Sequence, residues 1–336
     1  MKFRPLIVIA GPTGVGKTDV AHYLAIEMGG EIVSADSRQV YRYLDIGTAK
    51  PSSKFCQQIP YHMIDIVDPD EDFSVADFKQ QAEMIIDQIH LRGKLPFLVG
   101  GTGLYIKSIV SGLVPAPPPS PCLRQQLQEE ASVLGTNHLY QRLFEIDPET
   151  ASRISSNDLR RIIRALEVYC QTGTTISCLK LSATATKDYH LTMIVLNQDR
   201  QQLYARIEQR VDRMIEMGWV EEVQGLLEKG YSSAREASES HQLSAVSYQQ
   251  PLTEAAPISS AAPQLISMEA LGYRQIIKHL QGIYSLQEAV AEIKQSSRQF
   301  AKRQLTWFRA DSKYNWFEPD NIAGMREIIT KGQDSG

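Results

Sequence analysis

Residues 5–18, PLIVIAGPTGVGKT, decide the fold. The continuous apolar, β-branched run at 5–10 is typical of a buried parallel strand. Residues 11–18 match the pattern G-x-x-x-x-G-K-[ST], in which a glycine-rich loop presents backbone amides to phosphate oxygens before a helix begins. The stretch therefore predicts a strand, a phosphate-binding loop and a helix from Lys17. A glycine-rich turn without a ligand is the alternative.

The chemistry of such a loop gives its residues separate tasks. Glycines let successive N–H groups point inward, and the following helix adds the positive end of its dipole. Lys17 supplies a mobile full charge, and the Thr18 hydroxyl is a candidate ligand for Mg²⁺. The predicted phosphate-binding residues are Gly11, Pro12, Thr13, Gly14, Val15, Gly16, Lys17 and Thr18.

The rest of the chain favours an α/β fold. Three further short apolar runs, at 31–36, 95–100 and 191–196, are predicted strands, and helical patterns lie between them. Because strands and helices alternate, we predict a P-loop NTPase-like core built on a doubly wound parallel sheet.

This core pattern is interrupted twice. A stiff proline-rich connector at 115–121 leads into helical stretches, which predict an inserted all-helical domain over 115–188. Residues 231–267 are rich in Ser, Ala and Pro without a sustained period, which predicts a flexible insert. The predicted core comprises residues 1–114, 189–230 and 268–318, with one long helix from about 200 to 229.

Composition limits the class of protein. The chain has 336 residues and a net charge of −4, so only a local basic patch, not the overall charge, could attract nucleic acid. Its four cysteines lack the spacing of a metal site and are expected to be reduced thiols. No apolar run approaches the length of a membrane span. A cytoplasmic protein without a membrane partner is expected.

Asp36 is the most informative single residue outside the loop. It follows the predicted second strand, and the carboxyl edge of an open α/β sheet is where ligands bind. Three roles remain open: a Mg²⁺ ligand, a general base, or a turn or capping acid without chemistry. The later strands end in glycines or Asn197 rather than in the metal-binding acid of a triphosphate hydrolase. The GGTG turn at 100–103 offers the Thr102 hydroxyl to a ligand, or is simply a tight turn.

Two basic helices suggest an RNA surface. One, at 157–169, carries Arg160, Arg161 and Arg164 among apolar residues, and the other, at 298–309, mixes four basic residues with aromatic ones. Positive charge beside stacking side chains is typical of single-stranded RNA recognition. The alternative is that both are the solvated faces of amphipathic helices.

Taken together, these motifs resemble the tRNA dimethylallyltransferase family, also called tRNA isopentenyltransferases. The similarity runs in order over roughly residues 5–310 and lacks the Cys/His zinc pattern of eukaryotic members, so the bacterial type is implied. The matching stretches are GPTGVGKT, SADSRQVYRYLDIGTAKP, YHMIDIVDP, FLVGGTGLYIKSIVSGL, NDLRRIIRALEV, RIEQRVDRMIEMGWVEEV and LGYRQ.

The resemblance implies a reaction, its partners and its residues. A dimethylallyl group would move from dimethylallyl diphosphate to N6 of the adenosine 3′ of the anticodon in a tRNA anticodon stem-loop, with Mg²⁺ as cofactor and a monomeric enzyme. Asp36 would be the general base, and Thr13 and Lys17 would lie at the reacting groups. Arg210, less certainly Arg206, would hold the diphosphate. The implied tRNA-binding residues are Asp36, Ser37, Arg38, Gln39, Thr102, Arg124, Arg160, Arg161 and Arg164.

The segment 231–267 departs from the family, whose members pass from the GWVEEV helix to GYRQ through a shorter connection. We expect it to be dispensable, and loss of activity in a folded protein lacking about 240–262 would contradict this. Three rival functions remain: a P-loop small-molecule kinase using ATP, an adenylate isopentenyltransferase acting on free nucleotide, and a non-catalytic nucleotide switch.

Overall fold

The computed structural model describes residues 4–181, 189–231, 265 and 267–334. Within them, six parallel strands form one sheet in the order β3-β2-β4-β1-β5-β6, with helices packed against it, which confirms the α/β prediction. The strands are β1 Pro5–Ala10, β2 Gly30–Ser34, β3 Tyr61–His62, β4 Leu95–Gly100, β5 His190–Leu196 and β6 Asn315–Phe317.

Helices connect the strands. Those before β5 are α1 Lys17–Glu27, α2 Ser53–Gln58, α3 Val75–Leu91, α4 Gly103–Val110, α5 Pro121–Leu134, α6 Thr136–Ile146, α7 Pro148–Ser152, α8 Leu159–Thr172 and α9 Ile176–Leu181. Those after β5 are α10 Arg200–Glu216, α11 Trp219–Glu228, α12 Tyr273–Leu280, α13 Leu286–Arg309 and α14 Ile322–Asp334. In the part of the chain that is described, none of these helices has the length and apolarity needed to cross a membrane.

Strand β1 lies inside the sheet because both of its faces are apolar. Residues 6–10 are buried, and Ile7 pairs with Phe97 of β4 on one side and Thr192 of β5 on the other. The neighbouring strands β2, β4 and β1 all end at the same edge, since they are parallel. Residues that follow these three strands are therefore brought together there.

The chain divides into two compact units. One comprises residues 1–109 and 188–336, and the other is the helical segment 110–187, where the sequence pattern predicted an insert at 115–188. The second unit has an apolar core of its own, formed by the packing of α5, α6 and α8 around Leu139, Leu143 and Leu166.

Several predicted boundaries were wrong. The long helix expected over 200–229 is two helices, because Gly218 adopts a left-handed φ of 95° between α10 and α11. The edge strands β3 and β6 contain two and three residues, too few for a periodic pattern. Helix α14 extends the core beyond the predicted limit at 318.

The predicted flexible insert is wrong at its carboxyl end. Leu265 and Ser267 are buried, and the Ser267 hydroxyl donates a hydrogen bond to the Pro69 carbonyl at 2.6 Å. Leu265 packs in the same cluster as Trp219. The remainder of that prediction, including its proposed deletion of 240–262, falls on residues 232–264 and 266, outside the described residues.

Candidate active site at the carboxyl edge of the sheet

The phosphate loop lies between the end of β5 and helix α10. Gly11 has a φ of 150°, and a Cβ there would lie 2.8 Å from the Leu196 carbonyl oxygen. Gly16 has a φ of 96°, and a Cβ there would lie 2.9 Å from the Arg206 guanidinium. Among the residues that the structure describes, no side chain caps the start of α1, so its first amides are available to an anion. Gly11 and Gly16 thus have positive φ values, which glycine adopts most readily, in the loop that precedes α1.

Three charged side chains meet beside this loop. Lys17, Arg210 and Asp36 line one cavity of about 80 Å³, and the Lys17 ammonium donates to the Pro12 carbonyl at 2.8 Å. Burial, and then the charge of Arg210, lowers the pKa of Lys17 to about 7, while Asp36 opposes the shift. Burial also lowers the pKa of Arg210, again against the effect of Asp36. Two poorly solvated cations facing one carboxylate form a site for an anion.

A larger cavity of about 480 Å³ adjoins the first. Asp36 and Arg210 line both cavities, so they lie at the boundary between them. The residues common to both are Thr13, Asp36, Thr48, Arg210, Phe300 and Gln304. The site can therefore hold two groups at once, one on each side of a carboxylate.

Asp36 makes the contact that its predicted turn-capping role requires. Its Oδ1 accepts the backbone N–H of Arg38 at 2.9 Å, which is the contact of a turn-capping acid. Asp36 also lines both cavities, a position that a capping role alone does not require. The hydrogen bond fixes its orientation.

The GGTG turn joins β4 to the end of β2. The Thr102 amide donates to the Ala35 carbonyl at 3.1 Å, and the Thr102 hydroxyl accepts the Ser37 amide at 3.0 Å. A Cβ on Gly100 would lie 2.1 Å from the Ala35 carbonyl oxygen, so only glycine fits. Ser37, Arg38 and Thr102, three of the predicted tRNA-binding residues, line the larger cavity.

Gln304 of α13 is a site residue that the sequence did not reveal. Its side-chain oxygen accepts the Thr13 amide at 2.8 Å, and its nitrogen donates to the Gly101 carbonyl at 2.9 Å. It therefore ties the phosphate loop to the GGTG turn. Because its partners are about 200 and 300 positions away in the chain, no local motif could have indicated this role.

Gln39 has its hydrogen bonds inside the protein. Its side chain accepts the Ser34 hydroxyl at 2.9 Å and donates to the carbonyls of Thr48 and Ala49, both at 3.2 Å. It lines the smaller cavity and is absent from the lining of the larger one. The predicted tRNA contact of Gln39 thus competes with contacts that hold the Thr48–Ala49 backbone.

The predicted tRNA-binding arginines of the helical unit fall into two pairs. Arg124 and Arg164 both contact the fully buried carboxylate of Glu167, at 2.9 Å and 2.5 Å. Burial raises the pKa of Glu167, but the hydrogen bonds from these arginines outweigh it and hold the pKa below its usual value. Arg160 and Arg161 are exposed on the same helix, α8. Arg124 and Arg164 therefore stabilise the unit, while Arg160 and Arg161 lie on its surface, Arg161 beside Asp158 at 3.3 Å.

The donor set suits Mg²⁺ bound through a substrate. Thr18 lines the smaller cavity with Asp36, but across the described residues no three His, Cys, Asp or Glu side chains cluster to hold a metal. Mg²⁺ commonly keeps several waters and takes one or two protein oxygens together with substrate phosphates. The Thr18 hydroxyl beside a phosphate loop matches that pattern.

Fold and site together define the class: an α/β protein with a phosphate loop, whose anion site adjoins a carboxylate and a second cavity. The chain belongs to the IPP transferase family, whose model matches residues 39–311, and the related isopentenyl transferase model matches residues 4–65.

Known proteins of this family are similar over nearly the whole chain. The tRNA dimethylallyltransferase 2 of Geotalea uraniireducens is 46% identical, over 95% of this chain and 94% of its own length. The full-length tRNA isopentenylpyrophosphate transferase structure from Bacillus halodurans has a TM-score of 0.65 at 36% identity, covering 99% of this chain and 97% of that one. A eukaryotic dimethylallyltransferase acting on tRNA has a TM-score of 0.78 at 25% identity, covering 99% and 80%.

Proposed function

We propose that this protein is a tRNA prenyltransferase. It transfers a dimethylallyl group from dimethylallyl diphosphate to N6 of the adenosine 3′-adjacent to the anticodon, position 37, of tRNAs that read codons beginning with U. The products are N6-isopentenyladenosine and pyrophosphate. The observation that carries the proposal is the position of Asp36, which lines both the cavity of the phosphate loop and the larger cavity.

The smaller cavity takes the diphosphate. As the allylic C–O bond breaks, negative charge grows on the departing pyrophosphate and a delocalised cation forms on the dimethylallyl carbons. Lys17, Arg210 and the loop amides stabilise that charge where it develops. Mg²⁺, held by the Thr18 hydroxyl and the phosphates, would neutralise further charge on the leaving group.

Asp36 takes the proton. The N6 amine is a weak nucleophile because its lone pair is delocalised into the purine ring. As nitrogen bonds to the dimethylallyl carbon, one N6 proton passes to the Asp36 carboxylate. The N–H of Arg38 holds that carboxylate in place at the cavity boundary, so the base need not be ordered during the reaction.

The larger cavity takes the adenosine, which must leave the anticodon stack to enter it. Its lining includes Phe300 and Arg303 of α13, and the Arg303 guanidinium lies 5.8 Å from the centre of the Phe300 ring. Trp307, further along α13, is 42% exposed. An aromatic and cationic helix surface at a cavity mouth suits single-stranded RNA next to the target base. This supports the RNA-binding interpretation of the second basic helix.

The rivals make weaker use of these residues. A small-molecule kinase gives no role to exposed arginines such as Arg160 and Arg161 on a separate helical unit. An adenylate isopentenyltransferase acting on free nucleotide shares the phosphate loop but likewise does not need that unit. A nucleotide switch leaves Asp36 without a task. We further propose that the enzyme acts as a monomer on cytoplasmic tRNA.

The test is a direct assay of both donor and acceptor. Purified protein and Mg²⁺ are incubated with unmodified tRNA or AMP, together with dimethylallyl diphosphate or γ-labelled ATP, and the RNA is digested and analysed by mass spectrometry. Prenylated adenosine from tRNA and dimethylallyl diphosphate is the expected result. Prenylated AMP alone would identify the free-nucleotide enzyme, and label transferred from ATP would identify a kinase.

A further inference from the structure

The turn at residues 44–49 forms part of the wall of both cavities. Thr48 lines both, Ala49 lines the smaller and Gly47 lines the larger. Ala49 has a φ of 49°, in the left-handed region that residues with a Cβ disfavour. A wall that contains such a residue keeps its shape only if surrounding contacts hold it.

Glu222 of α11 supplies the main contact from outside. Its carboxylate accepts three consecutive backbone amides: Asp45 at 2.9 Å, Ile46 at 2.6 Å and Gly47 at 3.2 Å. The Tyr273 hydroxyl donates to the same carboxylate at 2.6 Å. Consecutive amides that converge on one anion form a nest, and here a side chain of the protein itself is the anion.

Packing shows how closely the turn is held against α11 and α12. A Cβ on Gly47 would lie 2.1 Å from the Trp219 indole nitrogen and 2.5 Å from the Tyr273 ring. Burial, and then the charge of Glu222, raises the pKa of Tyr273 well above its usual value. The tyrosine therefore stays a hydrogen-bond donor at neutral pH.

The three backbone amides that contact the Glu222 carboxylate can only donate, so this position requires an acceptor for each of them. A carboxylate meets this requirement, whereas the NH₂ of a glutamine would face a donor. On the inner side, Gln39 donates to the Thr48 and Ala49 carbonyls, so the turn is fixed from both faces.

We propose that Glu222 is a positioning residue for prenyl transfer. By binding the Asp45–Gly47 amides, its carboxylate fixes the Thr48–Ala49 wall of the cavity that takes dimethylallyl diphosphate. This inference rests on the proposed function for the identity of the ligand. It predicts that a residue outside the smaller cavity controls how tightly that cavity binds.

The test compares Glu222→Gln with Glu221→Gln, a neighbouring exposed glutamate on the same helix. Calorimetry gives the Kd of dimethylallyl diphosphate, and steady-state kinetics give KM and kcat per folded molecule, all well below the melting temperature. We expect Glu222→Gln to raise Kd and KM roughly tenfold, the scale of one lost hydrogen bond to a charged group, with Glu221→Gln unchanged. A merely structural role would lower the folded fraction and leave Kd and KM as in wild type, which would overturn the proposal.

Tyr273→Phe provides the second variant. It removes one donor and leaves the three amides in place, so we expect Kd and KM to rise two- to threefold, roughly, on the scale of one neutral hydrogen bond. If Glu222→Gln fails to fold, this variant decides, and wild-type binding would overturn the proposal. Binding is measured without turnover, so the two proposals can fail separately. If the wild-type protein binds the diphosphate but prenylates nothing, the proposed function is rejected, while the effect of Glu222 on binding can still be measured.

Discussion

Lys17 and Arg210 face the same cavity, and after burial itself the charge of Arg210 is the largest effect lowering the pKa of Lys17 to about 7. An arriving diphosphate neutralises both cations and raises that pKa again. At pH 8, pyrophosphate binding should therefore be accompanied by uptake of about one proton at Lys17. Calorimetry in two buffers of different ionisation enthalpy measures the number of protons taken up. Lys17→Met is the control, because any uptake that remains in this variant comes from pyrophosphate itself and is subtracted. Equal uptake by both proteins would contradict this assignment.

The same shift makes the free protein less stable than it could be. The pKa of Lys17 falls from 10.5 in the unfolded chain to about 7 in the folded one, so the unfolded state binds the proton more tightly. The resulting decrease in the free energy of unfolding is at its full size below pH 7 and disappears as the pH rises to 10.5. Lys17→Met should raise the free energy of unfolding, most at pH 6 and least near pH 10. Urea denaturation at both values checks this, and a gain that does not shrink at high pH would exclude titration of Lys17 as its cause.

Asp36 should be needed for turnover and not for binding. Asp36→Ala is expected to reduce kcat at least about a hundredfold, the usual scale for a general base, and to leave tRNA affinity within about tenfold. Asp36→Asn keeps an oxygen that can accept the Arg38 amide. A similar loss of kcat in this variant would therefore show that the missing proton acceptor, and not a disturbed turn, lowers turnover. Affinity for pyrophosphate should increase in both variants, because the anion opposing Lys17 and Arg210 is gone. Near-normal turnover in Asp36→Asn would reject the assignment.

Substitutions of Arg161 and Arg164 in the helical unit should affect different properties, tRNA binding for the first and stability for the second. The Arg161 side chain is 65% exposed, so Arg161→Ala should weaken tRNA binding, lower the salt slope by about one and leave stability unchanged. Arg164→Ala instead removes a partner of the buried Glu167 and should cost about 2 kcal/mol of stability. Salt titrations of tRNA binding and urea denaturation of both variants test this. An unchanged slope for Arg161→Ala would mean that Arg161 does not contact the tRNA and only pairs with Asp158 on the surface of α8.

A side chain at Gly101 should displace the Gln304 amide. A Cβ there would lie 2.3 Å from the Gln304 side-chain nitrogen, so Gly101→Ala forces Gln304 away from its contacts to Thr13 and the turn. We expect kcat to fall about tenfold or more, as small displacements of positioned groups commonly do. Gly225→Ala is the matched control, because space is open there, and it should stabilise α11 by about 1 kcal/mol. Normal activity in Gly101→Ala would show that this bridge is not needed.

The sequence predicted the parts of the site that lie in continuous motifs. The phosphate loop and Asp36 follow apolar runs whose strand character is local, and their meeting at one edge follows from parallel strands. Gln304 and Glu222 were missed because their partners come from distant segments, and only tertiary packing brings them together. Arg164 could not be recognised as a structural residue for the same reason: the burial of Glu167 is a property of the folded unit.

The order β2-β4-β1 has a consequence for substrate size. Asp36 follows β2 and the phosphate loop follows β1, with β4 between them. Neighbouring strands lie about 4.8 Å apart, so the backbones of β2 and β1 are about 10 Å from each other, and the side chains of Asp36 and Lys17 reach into the same cavity from either side of β4. The distance between these two backbone segments is thus set by the sheet and not by individual side chains. Ile32, Ser34 and Val99, in β2 and β4, line the smaller cavity, so substitutions there can change which donor fits, but none of them alters the spacing of the strand backbones.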